Sequence, residues 1–66
     1  MKDFYDIQQL LKSFGIVIYM KDRKDMLTMV EYEIRELQRL SLISQEDFIR
    51  AIAIIRREFN EENMKG

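Results

Sequence analysis

Residues 13–24 read SFGIVIYMKDRK. A single glycine precedes Ile16, Val17, Ile18, Tyr19 and Met20, which lead into Lys21, Asp22, Arg23 and Lys24. Successive β-branched and aromatic side chains favour extended backbone, so the fold turns on whether this run is a strand. A strand needs a partner, and a lone strand is not stable. The sequence contains no second run of this kind, and both flanks carry helical periodicity. The run therefore reads as an extended connection across a helical bundle, its alternate side chains closing one end of the core.

Working outward, Phe4, Ile7, Leu10, Leu11 and Phe14 repeat at the spacing of one helical face, which predicts a first helix over 4–14. Asp3 or Lys2 stands at its entrance, Asp3 and Asp6 suit its positive end and Lys12 its negative end. Gly15 occupies the place of a left-handed residue after the last turn. Asp22 as N-cap, with Asp25 three residues on, predicts a second helix over 23–40. Its stripe is Met26, Leu27, Val30, Ile34 and Leu37, with Met29 and Leu40 at the margins. Ser44 as N-cap, Asp47 at N3 and an Ile43–Phe48 staple start a third helix over 45–60. Its expected core face is Phe48, Ala51, Ile52, Ile55 and Phe59, and 61–66 reads as a polar, fraying tail. The fold class is all-α: a three-helix bundle, forming one domain over 1–66, with an extended connection between its first two helices.

Composition narrows the chemistry. At 66 residues, a chain buries only about 60% of its unfolded surface, so stability rests on efficient apolar packing. Cysteine and histidine are absent, which removes thiolate metal sites, disulfides and the usual base near neutral pH. The close acidic pairs Asp22/Asp25, Glu33/Glu36 and Glu46/Asp47 each have a simpler role as cap, first-turn charge or solvated helix face. No glycine-rich phosphate loop is present. The expectation is a non-enzyme with no catalytic residues, no cofactor, no metal and no evident small-molecule substrate. No leader peptide and no membrane span is legible, which points to the cytoplasm without membrane attachment.

The formal charge is −1, from 11 basic and 12 acidic side chains, so binding to nucleic acid would need a local cluster. Lys21, Arg23 and Lys24 follow the extended run, and Arg56 and Arg57 lie late in the third helix. With Tyr19 as a stacking face, these cations would hold the phosphates of single-stranded RNA or DNA. Asp22, Asp25, Glu58, Glu61 and Glu62 lie among them, so a plain solvated surface is the competing account. The second functional reading is a protein-interaction or self-associating module. Extended chain sends alternate side chains to opposite sides, so Ile16–Met20 cannot bury all of its apolar surface on one bundle.

FYDIQQLLKSFGIVIY (4–19), DMLTMVEYEIRELQRLSLIS (25–44) and DFIRAIAIIRREF (47–59) together resemble the YqgQ-like proteins of low-GC Gram-positive bacteria. The resemblance runs from about Phe4 to Glu61, with Val30 where a methionine is expected. It implies a cytosolic three-helix bundle, a ligand of single-stranded nucleic acid, and no catalytic motif to carry over.

Overall fold

A computed structural model describes residues 1–65, with side chains through Met64. The order is α1 (Phe4–Ser13), α2 (Arg23–Arg39) and α3 (Gln45–Lys65), and no strand occurs among the described residues. The molecule measures 35 × 21 × 18 Å. Its long axis is set by α3, whose 21 residues span about 32 Å at 1.5 Å per residue. α2 and α3 run antiparallel and share the largest interface, and α1 rests on α3. Gln38 meets Gln45 at 3.4 Å, and the Arg35 guanidinium lies 5.9 Å from the Phe48 ring centre.

Each helix starts where an acid or hydroxyl satisfies free amides. At α1 the Asp6 amide donates to Asp3 Oδ1 at 3.2 Å, and the Asp3 amide returns a bond to Asp6 Oδ2 at 3.4 Å. The Lys2 amide also donates to Asp6 Oδ2, at 2.7 Å. That last bond is the main cause holding the Asp6 carboxyl below its ordinary value of 3.8. A depressed carboxyl stabilises the fold above its unfolded pKa, and the contribution is lost as pH falls through the folded one. Acidification below about pH 4 is therefore expected to loosen the start of α1. Urea midpoints between pH 3 and 6 should fall less steeply for Asp6→Asn than for the wild type; equal slopes would remove Asp6 from the account. At α2 the Asp25 amide donates to Asp22 Oδ1 at 3.0 Å, and at α3 the Asp47 amide donates to Ser44 Oγ at 3.0 Å.

Both interhelical turns leave by the same device. The Gly15 amide bonds Lys12 O and the Ile16 amide bonds Leu11 O, each at 2.9 Å, with Gly15 at φ +77. This is a Schellman end, the pattern in which a left-handed residue returns two amides to the last turn. α2 repeats it with Ser41 at φ +59; the Ser41 amide bonds Gln38 O at 3.0 Å and the Leu42 amide bonds Leu37 O at 2.8 Å. A side chain in the left-handed region costs about 1–2 kcal/mol, partly offset by the entropy glycine loses on folding. Ser41→Gly should therefore stabilise by about 0.5–1 kcal/mol. Gly15→Ala should destabilise by about 1 kcal/mol, through backbone strain alone, because an added Cβ meets nothing within 4 Å. Urea denaturation of the two variants checks both signs.

The core consists of Phe4, Ile7 and Leu11 from α1, Leu27, Val30, Ile34 and Leu37 from α2, and Ala51, Ile54 and Ile55 from α3. Two details of the expected core are corrected. Phe14 is 40% exposed, because α1 has ended and Phe14 is its C-cap at φ −99, ψ 11. Ile54, outside the expected stripe, is 7% exposed, while Ile52 is only partly buried. The reason is that α3 packs against two neighbours and so needs a wider apolar face than one stripe supplies. The connection behaves as its sequence dictates: Ile16 and Ile18 pack on the core, and Val17 and Tyr19 turn outward.

The expected tail is also corrected. α3 does not stop at Asn60 but continues to Lys65; Gly66 lies outside the described residues. Glu58 forms an ion pair with Arg23 at the start of α2, and Glu62 Oε1 lies 3.9 Å from Arg23 Nε. These contacts hold the late turns of α3 against the rest of the molecule, which periodicity within one helix cannot reveal.

Candidate binding surface

The α1–α2 connection is the most exposed apolar element of the described chain. Tyr19 is 94% exposed, Val17 77% and Met20 40%. Among the described residues, no hydrogen bond engages the backbone amides or carbonyls of Val17–Met20; the last one before the run is that of the Ile16 amide. The run thus offers both side chains and open backbone groups to a partner. Beside it, α1, the connection and α2 enclose a crevice of about 190 Å³. Leu11, Ile16, Ile18 and Val30 give it apolar walls, and Gln8, Gln9 and Lys12 add polar groups. A more open depression lies near the chain start, lined by Met1, Lys2, Asp6 and Asp47 among others.

The six residues singled out for nucleic acid fare differently. Tyr19, Lys21 and Lys24 are exposed on the connection and the first turn of α2, and neither lysine has an ion pair among the described residues. Arg23 does not stand free: besides Glu58 and Glu62, its guanidinium lies 4.8 Å from the centre of the Phe4 ring. One side chain thereby joins α1, α2 and α3. The sequence carried only the acidic half of this contact and not the identity of its cation. Glu58 and Glu62 fall seven residues after Ala51 and Ile55, so they continue the buried stripe of α3, and acids there require a cation.

Arg56 and Arg57 are both exposed, but consecutive helical residues point about 100° apart. Arg56 follows Ile52 by one turn, on a side that packs towards the core. Arg57 follows exposed Ala53 and lies on the outward side. Arg56 and Arg57 therefore point in different directions, and Arg23, through its pair with Glu58, lies beside this turn of α3. Other arginines are neutralised locally: Arg35 by Glu31 at 2.9 Å, Arg39 by Glu36 at 2.7 Å and Arg50 by Glu46 at 2.7 Å. The Arg39 bond holds the Glu36 carboxyl below its ordinary value and raises Arg39. Among the described residues, no group of three acids is placed to hold a metal ion, and no helix is long and apolar enough to cross a membrane.

Fold and surface together define a small all-α protein built as a three-helix bundle with an open α1–α2 connection. Comparison of the sequence gives a match to the model of the YqgQ-like family over residues 1–61, so the chain belongs to the YqgQ-like family. It is similar to a Bacillus subtilis (strain 168) protein named uncharacterized protein YqgQ, with 39% identity over 61 residues, covering 92% of this chain and 86% of that one.

Proposed function

We propose that this is a non-enzymatic, cytosolic binding domain that engages a protein partner along the connection Ile16–Met20. One contrast supports this reading. The connection keeps Val17 and Tyr19 in solvent, with backbone groups unengaged, while Arg23, among the cations that would hold a nucleic acid, is taken up by Glu58 and Glu62. Exposed apolar surface of this kind marks partner sites. Capture from lysate should recover a partner that Tyr19→Ala and Met20→Glu lose, with helicity by circular dichroism unchanged. A chain that captures the same proteins with and without these substitutions, and stays monomeric at every concentration, would sink the reading.

A second reading keeps single-stranded RNA or DNA as the ligand, favoured by Tyr19 standing beside unpaired Lys21 and Lys24. Arg23 drops out of this set, because Glu58 and Glu62 occupy it. With Lys21, Lys24 and Arg56 on phosphates, log affinity would fall with log salt at a slope of about −2. Titration of labelled oligonucleotides at several salt concentrations tests it, and absent or salt-insensitive binding would exclude it.

A further inference from the structure

We infer that the partner enters as an extended peptide with an apolar centre and acidic ends, adding a strand along Val17–Met20 and seating one side chain in the α1–α2 crevice. This rests on the protein-partner reading and specifies its ligand. Three independent observations converge on it.

The first is the backbone. Period-two exposure, with Ile16 and Ile18 packed inward and Val17 and Tyr19 outward, shows an extended run, and its amides and carbonyls from Val17 to Met20 are open among the described residues. Alternate residues of such a run present donor and acceptor to the same side, which is what an incoming strand pairs with. Nothing here blunts that edge: no proline lies in the run, and its first charge is Lys21, after the last apolar residue.

The second is the crevice. Strand addition draws affinity from main-chain bonds and specificity from pockets that receive alternate side chains. The crevice lies against the same run, with Ile16, Val17 and Ile18 in its walls, and holds about 190 Å³. A cavity of about 150 Å³ accommodates a benzene ring, so this one fits a single leucine- or phenylalanine-sized side chain. It is too small for a drug-sized ligand, which needs roughly 300 Å³ or more.

The third is charge. Lys12 lines the crevice beside the start of the run, and Lys21 follows its end. Neither has an ion pair among the described residues. Of the acids that follow, the Asp22 carboxylate is turned to the Asp25 amide as a helix cap. Cations therefore bracket an apolar strand at both ends, and the complementary peptide carries carboxylates at both of its ends.

The probe is a labelled nonapeptide of five alternating valines and leucines between paired glutamates, titrated onto the full chain. Two controls accompany it: the same peptide N-methylated at its central residues, which cannot donate to a strand, and one ending in lysines. The inference expects each control to bind at least tenfold more weakly, and Lys12→Glu with Lys21→Glu to reverse the preference between acidic and basic ends. It also expects slowed amide exchange within Val17–Met20 and shifted methyl signals of Leu11 and Val30. Equal binding of the N-methylated peptide, or no binding of the acidic one, overturns it. So does a dimer of this chain that Tyr19→Pro dissolves, which would make a second copy the occupant, or salt-sensitive binding of oligothymidylate at the run without peptide binding. If the peptides fail while Tyr19→Ala still loses a lysate partner, the broader proposal stands and only this one falls.

Discussion

Ile55→Ala is expected to remove about 3 kcal/mol of stability, within the 2–5 kcal/mol range for truncating a buried isoleucine. For a domain of this size, whose whole stability is a few kcal/mol, that leaves a largely unfolded chain at 37 °C. Ile55 is fully buried on the helix that both α1 and α2 touch, so a cavity there loosens both interfaces at once. The informative comparison is with Ile52→Ala, three residues earlier. Periodicity alone places both residues in the same stripe, but Ile52 is only partly buried, and its truncation should cost about half as much. Ile54→Ala, at a position 7% exposed, should cost more than Ile52→Ala. Denaturant unfolding of the three variants tests the packing directly, and an Ile52 cost equal to that of Ile55 would contradict the orientation of α3 described above.

Arg23→Gln is the second large effect, expected to destabilise by about 1–2 kcal/mol. The ion pair with Glu58 lies at the surface margin, its two side chains 39% and 17% exposed, so solvent screening limits its worth. Its contact with the Phe4 ring adds to that worth, as does the restraint on the end of α3. A cycle of Arg23→Gln, Glu58→Gln and the double variant should give a coupling of about 1 kcal/mol. Amides of residues 60–64 should exchange faster in either single variant, as the late turns of α3 lose their anchor. The same variant separates two roles for Arg23. A phosphate contact would alter oligonucleotide binding and leave stability unchanged; the structural role lowers stability and leaves the salt slope as it was. An uncoupled cycle with unchanged exchange would return Arg23 to the solvent.

Much of the fold was legible along the chain because its signals are local. Asp22 and Ser44 accept from amides three residues on, and Gly15 adopts the left-handed backbone its position calls for. The run Ile16–Met20 was legible for another reason: extended chain without a second strand must cross a core with its side chains alternating. Ser41 was not legible, since serine carries no strong preference for the left-handed region and the turn imposes it. Among the proposed site residues, Tyr19, Lys21 and Lys24 remain exposed as expected, since sequence neighbours of a turn share its surroundings. Arg56 and Arg57 are adjacent in sequence yet point to different sides, because a helix separates consecutive residues by about 100°.

Sequence by itself determined the three helices, their starts, the glycine end of α1 and the two-faced connection, because caps, periodicity and backbone preference act within a few residues. Tertiary structure alone decided that Ile54 is buried, that α3 continues to Lys65 and that Arg23 belongs to Glu58 and Glu62. Each of these depends on residues far apart in the chain meeting across an interface. A cation read on its own helix is a ligand contact in waiting; placed against two carboxylates and an aromatic ring, it is part of the scaffold.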